Sequence, residues 1–223
     1  MPTPVTTSPS IARGSTISIC RVWHKTAVRI IRTSDCKTTP WKNGGGSTTE
    51  IAVAPVKASL EDFDWRISMA VVASDGPFSS FTGIDRTLAV VKGDGLMLTI
   101  GDAAPVTLAS GTAPVSFPGD TPATARLTAG AITDLNVMTR RGRFRHHLLR
   151  VSTSMSCDFG DNDIAVVLSL DGATGVIAGE NSAALEHGDA VLIDRATTAD
   201  FRIVPATDNC YLIWLKAQQP FEA

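Results

Sequence analysis

Residues 63–72 read "FDWRISMAVV", and their alternation governs the reading of the whole chain. With a period of two, Phe63, Trp65, Ile67, Met69 and Val71 line one face of a strand. Asp64, Arg66, Ser68, Ala70 and Val72 line the other. The first face is apolar throughout and belongs against a core. The second carries an arginine, a hydroxyl and small residues, which suits a wall with room in front of it. There Arg66 can offer a planar fork of donors to a carboxylate, with Ser68 as a hydroxyl partner. The alternative on pattern alone is an exposed sheet face with Arg66 in a surface ion pair.

Short apolar or alternating runs recur on both sides of this stretch, from "VRIIRT" near Ala27 to "CYLIWLKA" at the end. Turn signals such as "SDGP", "KGDG" and "DGATG" separate them at the spacing of a sandwich or barrel. No window supports a long amphipathic helix, and at most "SSFTGI" or "NSAALEHG" holds one helical turn. More than a dozen strands are too many for one small barrel, so an all-β chain of two stacked barrels is expected. The basic run "TRRGRFRHH" (Thr139–His147) lacks apolar periodicity and reads as the boundary, with strand pattern resuming at Leu148.

The formal charge of −2 gives no electrostatic footprint for nucleic acid, and no apolar run is long enough for a membrane span. Cys20, Cys36, Cys157 and Cys210 form no C-x-x-C pair, and scattered thiols of this kind suggest a reducing compartment, read here as the cytoplasm. The first 34 residues hold Arg13, Arg21, Lys25, Arg29 and Arg32 and are rich in Ser, Thr and Pro. Residues 1–26 are expected to be a disordered extension or the product of an upstream start codon; an organellar transit peptide has the same bias.

The loop "PWKNGGGSTTEIAV" (Pro40–Val53) invites a phosphate-binding reading, which fails. A Walker-type loop needs its lysine after the glycines and a helix following, whereas Lys42 precedes them and a strand pattern follows. The loop reads better as a shaped entrance, with Trp41, Lys42 and Asn43 as its rim and Glu50 just inside. Further on, "SDGPFSSFTGIDRTL" offers Phe78 and Phe81 as walls and the neighbours Asp85 and Arg86 as orienting groups.

Metal and nucleophile chemistry find little support. His24, His146, His147 and His187 are the only histidines; His146 and His147 are adjacent and would face opposite ways on a strand. No G-x-S-x-G elbow is present, and nothing places a histidine beside a serine or cysteine.

The segments "PWKNGGGSTTEIAV", "FDWRISMAVV", "DGPFSSFTGIDRTL", "VSFPGD" and "TDLNVMTRRG", in that order, resemble the HutD/Ves family of bacterial cupin-like proteins. The resemblance covers the first two-thirds of the chain. It implies a bicupin, with one half over residues 27–142 and the other over 143–223. It also implies an association with histidine utilisation, with no established catalytic activity. Laid on the usual cupin metal motif, the two histidine positions fall on Phe78 and Ser80 and the glutamate position on Asp85. The expected barrel therefore holds no metal and no cofactor.

The leading expectation is a non-catalytic bicupin that binds a small anionic metabolite such as urocanate, N-formylglutamate or formate. Its site would use Arg66, Ser68, Asp85, Arg86, Phe78, Phe81, Trp41, Lys42, Asn43 and Glu50. The runner-up is a metal-independent isomerase or hydrolase with Asp85 or Glu50 as base, and a third reading is a pure interaction protein. No nucleic-acid or membrane partner is expected. Cupins often dimerise through sheet edges, which leaves a homodimer open.

Overall fold

The structure, a computed structural model, describes residues 28–218, so the expected extension over 1–26 lies outside the described residues. Alternating apolar residues make short strands, and Gly, Asp and Asn turns stop them. In the first half run β1 (Val28–Ile31), β2 (Lys37–Pro40), β3 (Gly46–Ala54), β4 (Trp65–Val72), β5 (Gly76–Pro77) and β6 (Ile84–Lys92). Then come β7 (Leu96–Ile100), β8 (Val106–Leu108), β9 (Val115–Pro118), β10 (Ala123–Leu127) and β11 (Ile132–Arg140). The second half holds β12 (Phe144–Val151), β13 (Met155–Asp158), β14 (Ile164–Ser169) and β15 (Thr174–Ala178). It ends with β16 (Asn181–Leu185), β17 (Ala190–Asp194), β18 (Asp200–Pro205) and β19 (Cys210–Ala217). A single 3-10 turn, Thr33–Asp35, is the only helical element among the described residues.

Four sheets result. The first barrel packs a six-stranded sheet (β2-β3-β4-β11-β6-β9) against a four-stranded one (β5-β10-β7-β8). Its interior joins Val72, Leu88 and Val90 of the larger sheet to Leu96, Leu98 and Leu108 of the smaller. The second barrel pairs a five-stranded sheet (β1-β17-β14-β19-β12) with β13-β18-β15-β16. A ring cluster fills its core, with Phe159, Phe201 and Trp214 centroids 5.5 Å apart. The two large sheets then pack back to back: Trp65, Ile67, Leu135 and Val137 meet Val166, Leu168, Ile213 and Leu215. Trp65 and Ile67 are the apolar face of "FDWRISMAVV", which is why Arg66 and Ser68 are left to face the first barrel's interior. Full burial of a side chain such as Ile67 stabilises by about 1.5–3 kcal/mol.

Three features depart from the sequence reading. β1, assigned above to the first half, pairs antiparallel with β17 and completes the second half's sheet. Asp189 fixes it there by accepting from the Thr33 backbone N–H (2.9 Å) and from Arg32 Nη1 (2.5 Å). Strand pattern, expected to resume at Leu148, resumes at Phe144, so the boundary run 139–147 is mostly strand and a turn over 141–143 separates β11 from β12. The inward position between Phe144 and Leu148 is His146, whose polarity breaks the apolar period. Finally, "NSAAL" is strand β16, with Ala183 and Leu185 buried at alternate positions.

Candidate functional site

Parity along three neighbouring strands builds a polar cluster inside the first barrel. Arg66 on β4 and Arg86 on β6 both lie opposite Met138 of the central strand β11. Two residues along, Asn136 lies opposite Ser68, and two further, Asp134 lies opposite Ala70 and Val90. β3 adds Glu50 opposite Ser68, just before a register shift, and β9 adds Phe117 opposite Arg86. Arg66, Ser68, Arg86, Asp134 and Asn136 are all buried.

Hydrogen bonds order these groups into two chains. Arg66 Nε donates to Glu50 Oε2 at 2.8 Å, and its Nη1 donates to Ser68 Oγ at 3.2 Å. Arg86 Nε donates to Asn136 Oδ1 at 2.7 Å, and Asn136 Nδ2 donates to Asp134 Oδ1 at 2.5 Å. Arg86 can only donate, so it fixes the amide with oxygen toward itself and nitrogen toward Asp134. Asp134 Oδ2 is buried with no hydrogen-bond partner. Both terminal nitrogens of Arg86 also lack a hydrogen-bond partner among the described residues. Its guanidinium carbon lies 4.5 Å from the Phe78 ring centre and 5.5 Å from that of Phe117.

Burial acts on the charges in opposite directions. It pushes the Asp134 carboxyl up to about 7, against the opposing pull of Arg86, the Asn136 hydrogen bond and the Ala70 backbone N–H. It brings Arg86 down to about 10, where Asp134 pulls it up and Arg66 pushes it further down.

Glu50 stands at the edge of this cluster, its side chain 36% exposed. It also lines a groove of about 420 Å³ shared with Arg32, Lys37 and Lys57. Phe81 packs edge-on against Phe63 (6.4 Å) beside Ile84 and Met138, plugging one end of the barrel. Trp41 lies over β3, its Nε1 donating to Thr48 Oγ1 at 2.8 Å. Lys42 and Asn43 are exposed in the turn, where Asn43 Oδ1 accepts from the Gly45 N–H. Gly44 takes a φ of +72°, and a Cβ on Gly46 would stand 2.1 Å from the Val71 carbonyl oxygen. The glycines thus let the turn press against β4 and the Trp41 ring.

Asp85 is placed elsewhere. It neighbours Arg86 on β6 and so faces the opposite way, half-exposed, accepting from Arg141 Nε at 2.8 Å. The structure therefore gathers Arg66, Ser68, Arg86, Glu50 and Phe78. It sets Trp41 and Phe81 at the periphery and leaves Lys42, Asn43 and Asp85 outside. Sequence reasoning missed Asp134, Asn136 and Phe117. The signal for the first two was "TDLNVM", where polar residues alternate with apolar ones.

A second polar cluster sits at the seam between the large sheets. His146 bonds through Nε2 to Thr87 Oγ1 and through Nδ1 to Thr139 Oγ1, each at 2.7 Å. Burial lowers its pKa to about 4, with Asp85 opposing and His147 reinforcing the shift. Among the described residues, no three His, Cys, Asp or Glu side chains are grouped to hold a metal ion.

Two stacked all-β barrels of this topology, with polar groups inside one of them, define a bicupin. Solved structures of low identity share that fold: protein Ylba from E. coli aligns over 91% of this chain (96% of its own) with a TM-score of 0.61 and 11% identity. An oxalate decarboxylase from Lactobacillus farciminis aligns over 86% of both chains with a TM-score of 0.60 and 8% identity. The HutD family model matches residues 33–211, and the chain belongs to that family. HutD from Pseudomonas fluorescens SBW25 covers 86% of this chain and all of its own, with 32% identity and a TM-score of 0.75. Protein Ves of Citrobacter koseri is 37% identical over 134 residues, 60% of this chain and 68% of its own length. An uncharacterized 21.2 kDa protein in the hutC 3' region of Pseudomonas putida is 35% identical over 121 residues. That match spans 54% of this chain and 63% of the relative.

Proposed function

We propose that the first barrel binds a small carboxylate metabolite without turning it over, and that the protein thereby senses or modulates histidine utilisation. One observation carries the binding reading: Arg86 is 4% exposed, yet both its terminal nitrogens lack an acceptor. A planar carboxylate supplies two acceptors at the spacing of the fork, and charge-assisted bonds of this kind are stronger than neutral ones. Arg66 adds one further unpaired terminal nitrogen from the other side of Met138. Phe78 and Phe117 give the ligand an apolar wall. Urocanate, N-formylglutamate and formate fit this chemistry and the family's link to histidine breakdown; the P. fluorescens HutD structure was determined in a formate condition.

A thermal-shift screen of the full chain against these three acids and divalent metals tests the reading. A hundredfold excess over Kd stabilises by about 2.7 kcal/mol, so a bound acid raises Tm clearly. Shifts with metals and none with acids would overturn it.

One observation favours a metal-independent isomerase or hydrolase as a second reading. A buried carboxyl brought to about 7, as in Asp134, suits general acid–base chemistry. The bases expected from sequence are less suited: Glu50 is engaged by Arg66 and Asp85 by Arg141. Mass-spectrometric detection of product from urocanate or N-formylglutamate, lost in Asp134→Asn, would favour this reading over pure binding.

A further inference from the structure

Asp134 Oδ2 is a fully buried carboxylate oxygen with no partner, at the far end of a chain of two hydrogen bonds that starts at Arg86. The chain also says where a proton would go. Asn136 is oriented by Arg86 and donates to Oδ1, so a proton on Asp134 settles on the partnerless Oδ2. We propose that Asp134 couples anion binding at Arg86 to the uptake of one proton, and so sets which charge state of the barrel accepts a ligand. This rests on the carboxylate-binding reading above and deepens it.

The physical reason is competition for one cation. Among the described residues of this sheet, register puts Arg86 of β6, Arg66 of β4 and Glu50 of β3 on the same face as Asp134. Arg66 is engaged by Glu50, which leaves Arg86 as the countercharge of Asp134. The opposite sheet contributes apolar side chains such as Leu96, Leu98 and Ala125 to this interior. When a ligand carboxylate docks on Arg86, it neutralises the charge that held Asp134 ionised. Two carboxylates then share one guanidinium in a dry interior, and the one with an unpartnered oxygen takes a proton from solvent. The site gains one anion and one proton, and its net charge is unchanged. The burial that raises the Asp134 carboxyl to about 7 places this exchange near neutral pH.

The test is isothermal titration of the full chain with sodium formate, which has no group titrating near neutrality. Titrations are run at about pH 6 and about pH 8, each in two buffers of different protonation enthalpy. Proton uptake is expected to be near zero at the lower pH and to approach one at the higher. Kd should weaken by up to about tenfold per pH unit above neutrality. In Asp134→Asn the uptake should vanish and Kd should become the same at both pH values. Binding by wild type with no uptake and a flat Kd would overturn the coupling while leaving the binding site in place. Uptake that persists in Asp134→Asn would assign the proton elsewhere and equally overturn it. Absence of binding by formate, urocanate and N-formylglutamate at both pH values would overturn the proposed function and this inference with it.

Discussion

Arg66 and Arg86 stand directly opposite the same residue, Met138, one on each strand flanking β11. Two guanidinium groups therefore converge on one stretch of barrel interior, and Arg66 lowers the proton affinity of Arg86. Their partners differ: Arg66 donates to Glu50 and Ser68, whereas Arg86 donates through Nε to Asn136 and lies against the Phe78 and Phe117 rings. The arrangement leaves one cation largely committed and the other available.

Glu50 competes with an incoming anion for Arg66. Glu50→Gln keeps an acceptor for Arg66 Nε and removes the negative charge, so it is expected to tighten carboxylate binding by about threefold to tenfold. That corresponds to about 0.7–1.4 kcal/mol for a partly exposed charge. Calorimetric Kd values for both forms check this. If Glu50 instead served as a general base, the same substitution would leave binding intact and abolish turnover.

His146 joins the two barrels through Thr87 and Thr139. His146→Ala strands both hydroxyl contacts at the seam, although Thr87 keeps Ser116 at 2.7 Å. A loss of about 2 kcal/mol is expected in denaturant unfolding. The folded pKa of about 4 lies below the ordinary 6.5, so the folded state resists a proton the unfolded chain accepts. This contribution is complete above about pH 6.5 and lost as pH falls toward 4. His146→Gln should flatten that acid limb of the Tm profile.

Asp134 works in the opposite sense. Its folded pKa of about 7 exceeds the ordinary 3.8, so the folded state binds the extra proton between those values. Stability from this group is complete below about pH 4 and lost as pH rises toward 7. The Tm advantage of ligand-free Asp134→Asn over wild type should therefore grow between about pH 5 and pH 8. A constant difference across that range would contradict the burial-driven shift.

The glycine run separates two costs. Gly44→Ala meets no atom within 4 Å but must hold a φ of +72°, which costs about 1–2 kcal/mol. Gly46→Ala drives a Cβ to within 2.1 Å of the Val71 carbonyl oxygen and 3.1 Å of the Trp41 ring. The turn must then lift from β4, and Gly46→Ala should be the more destabilising in thermal melts.

The first barrel's site was legible where strand parity is clean. In "FDWRISMAVV" Trp65 and Ile67 bury between the large sheets, while Val71 is exposed and Phe63 packs with Ile84 and Met138, so the orientation of Arg66 and Ser68 follows from the fate of Trp65 and Ile67. The same parity separates Asp85 from Arg86, and a strict alternation over "IDRTLAVV" would have kept Asp85 off the list of site residues. Asp134 and Asn136 were equally available in "TDLNVM". What the sequence does not carry is that β11 lies between β4 and β6, because that adjacency joins residues about 50 positions apart in the chain, such as Arg86 and Asn136. The exchange of β1 into the second half's sheet is long-range in the same way.

The most direct measurement compares formate binding by wild type, Arg86→Lys and Asp85→Asn in the full chain by isothermal titration. Lysine keeps the charge and loses the planar fork, so Arg86→Lys is expected to weaken binding at least about tenfold. Asp85→Asn, outside the barrel interior, is expected to bind as wild type does. Equal affinity in wild type and Arg86→Lys, or loss of binding in Asp85→Asn alone, would contradict a carboxylate site at Arg86.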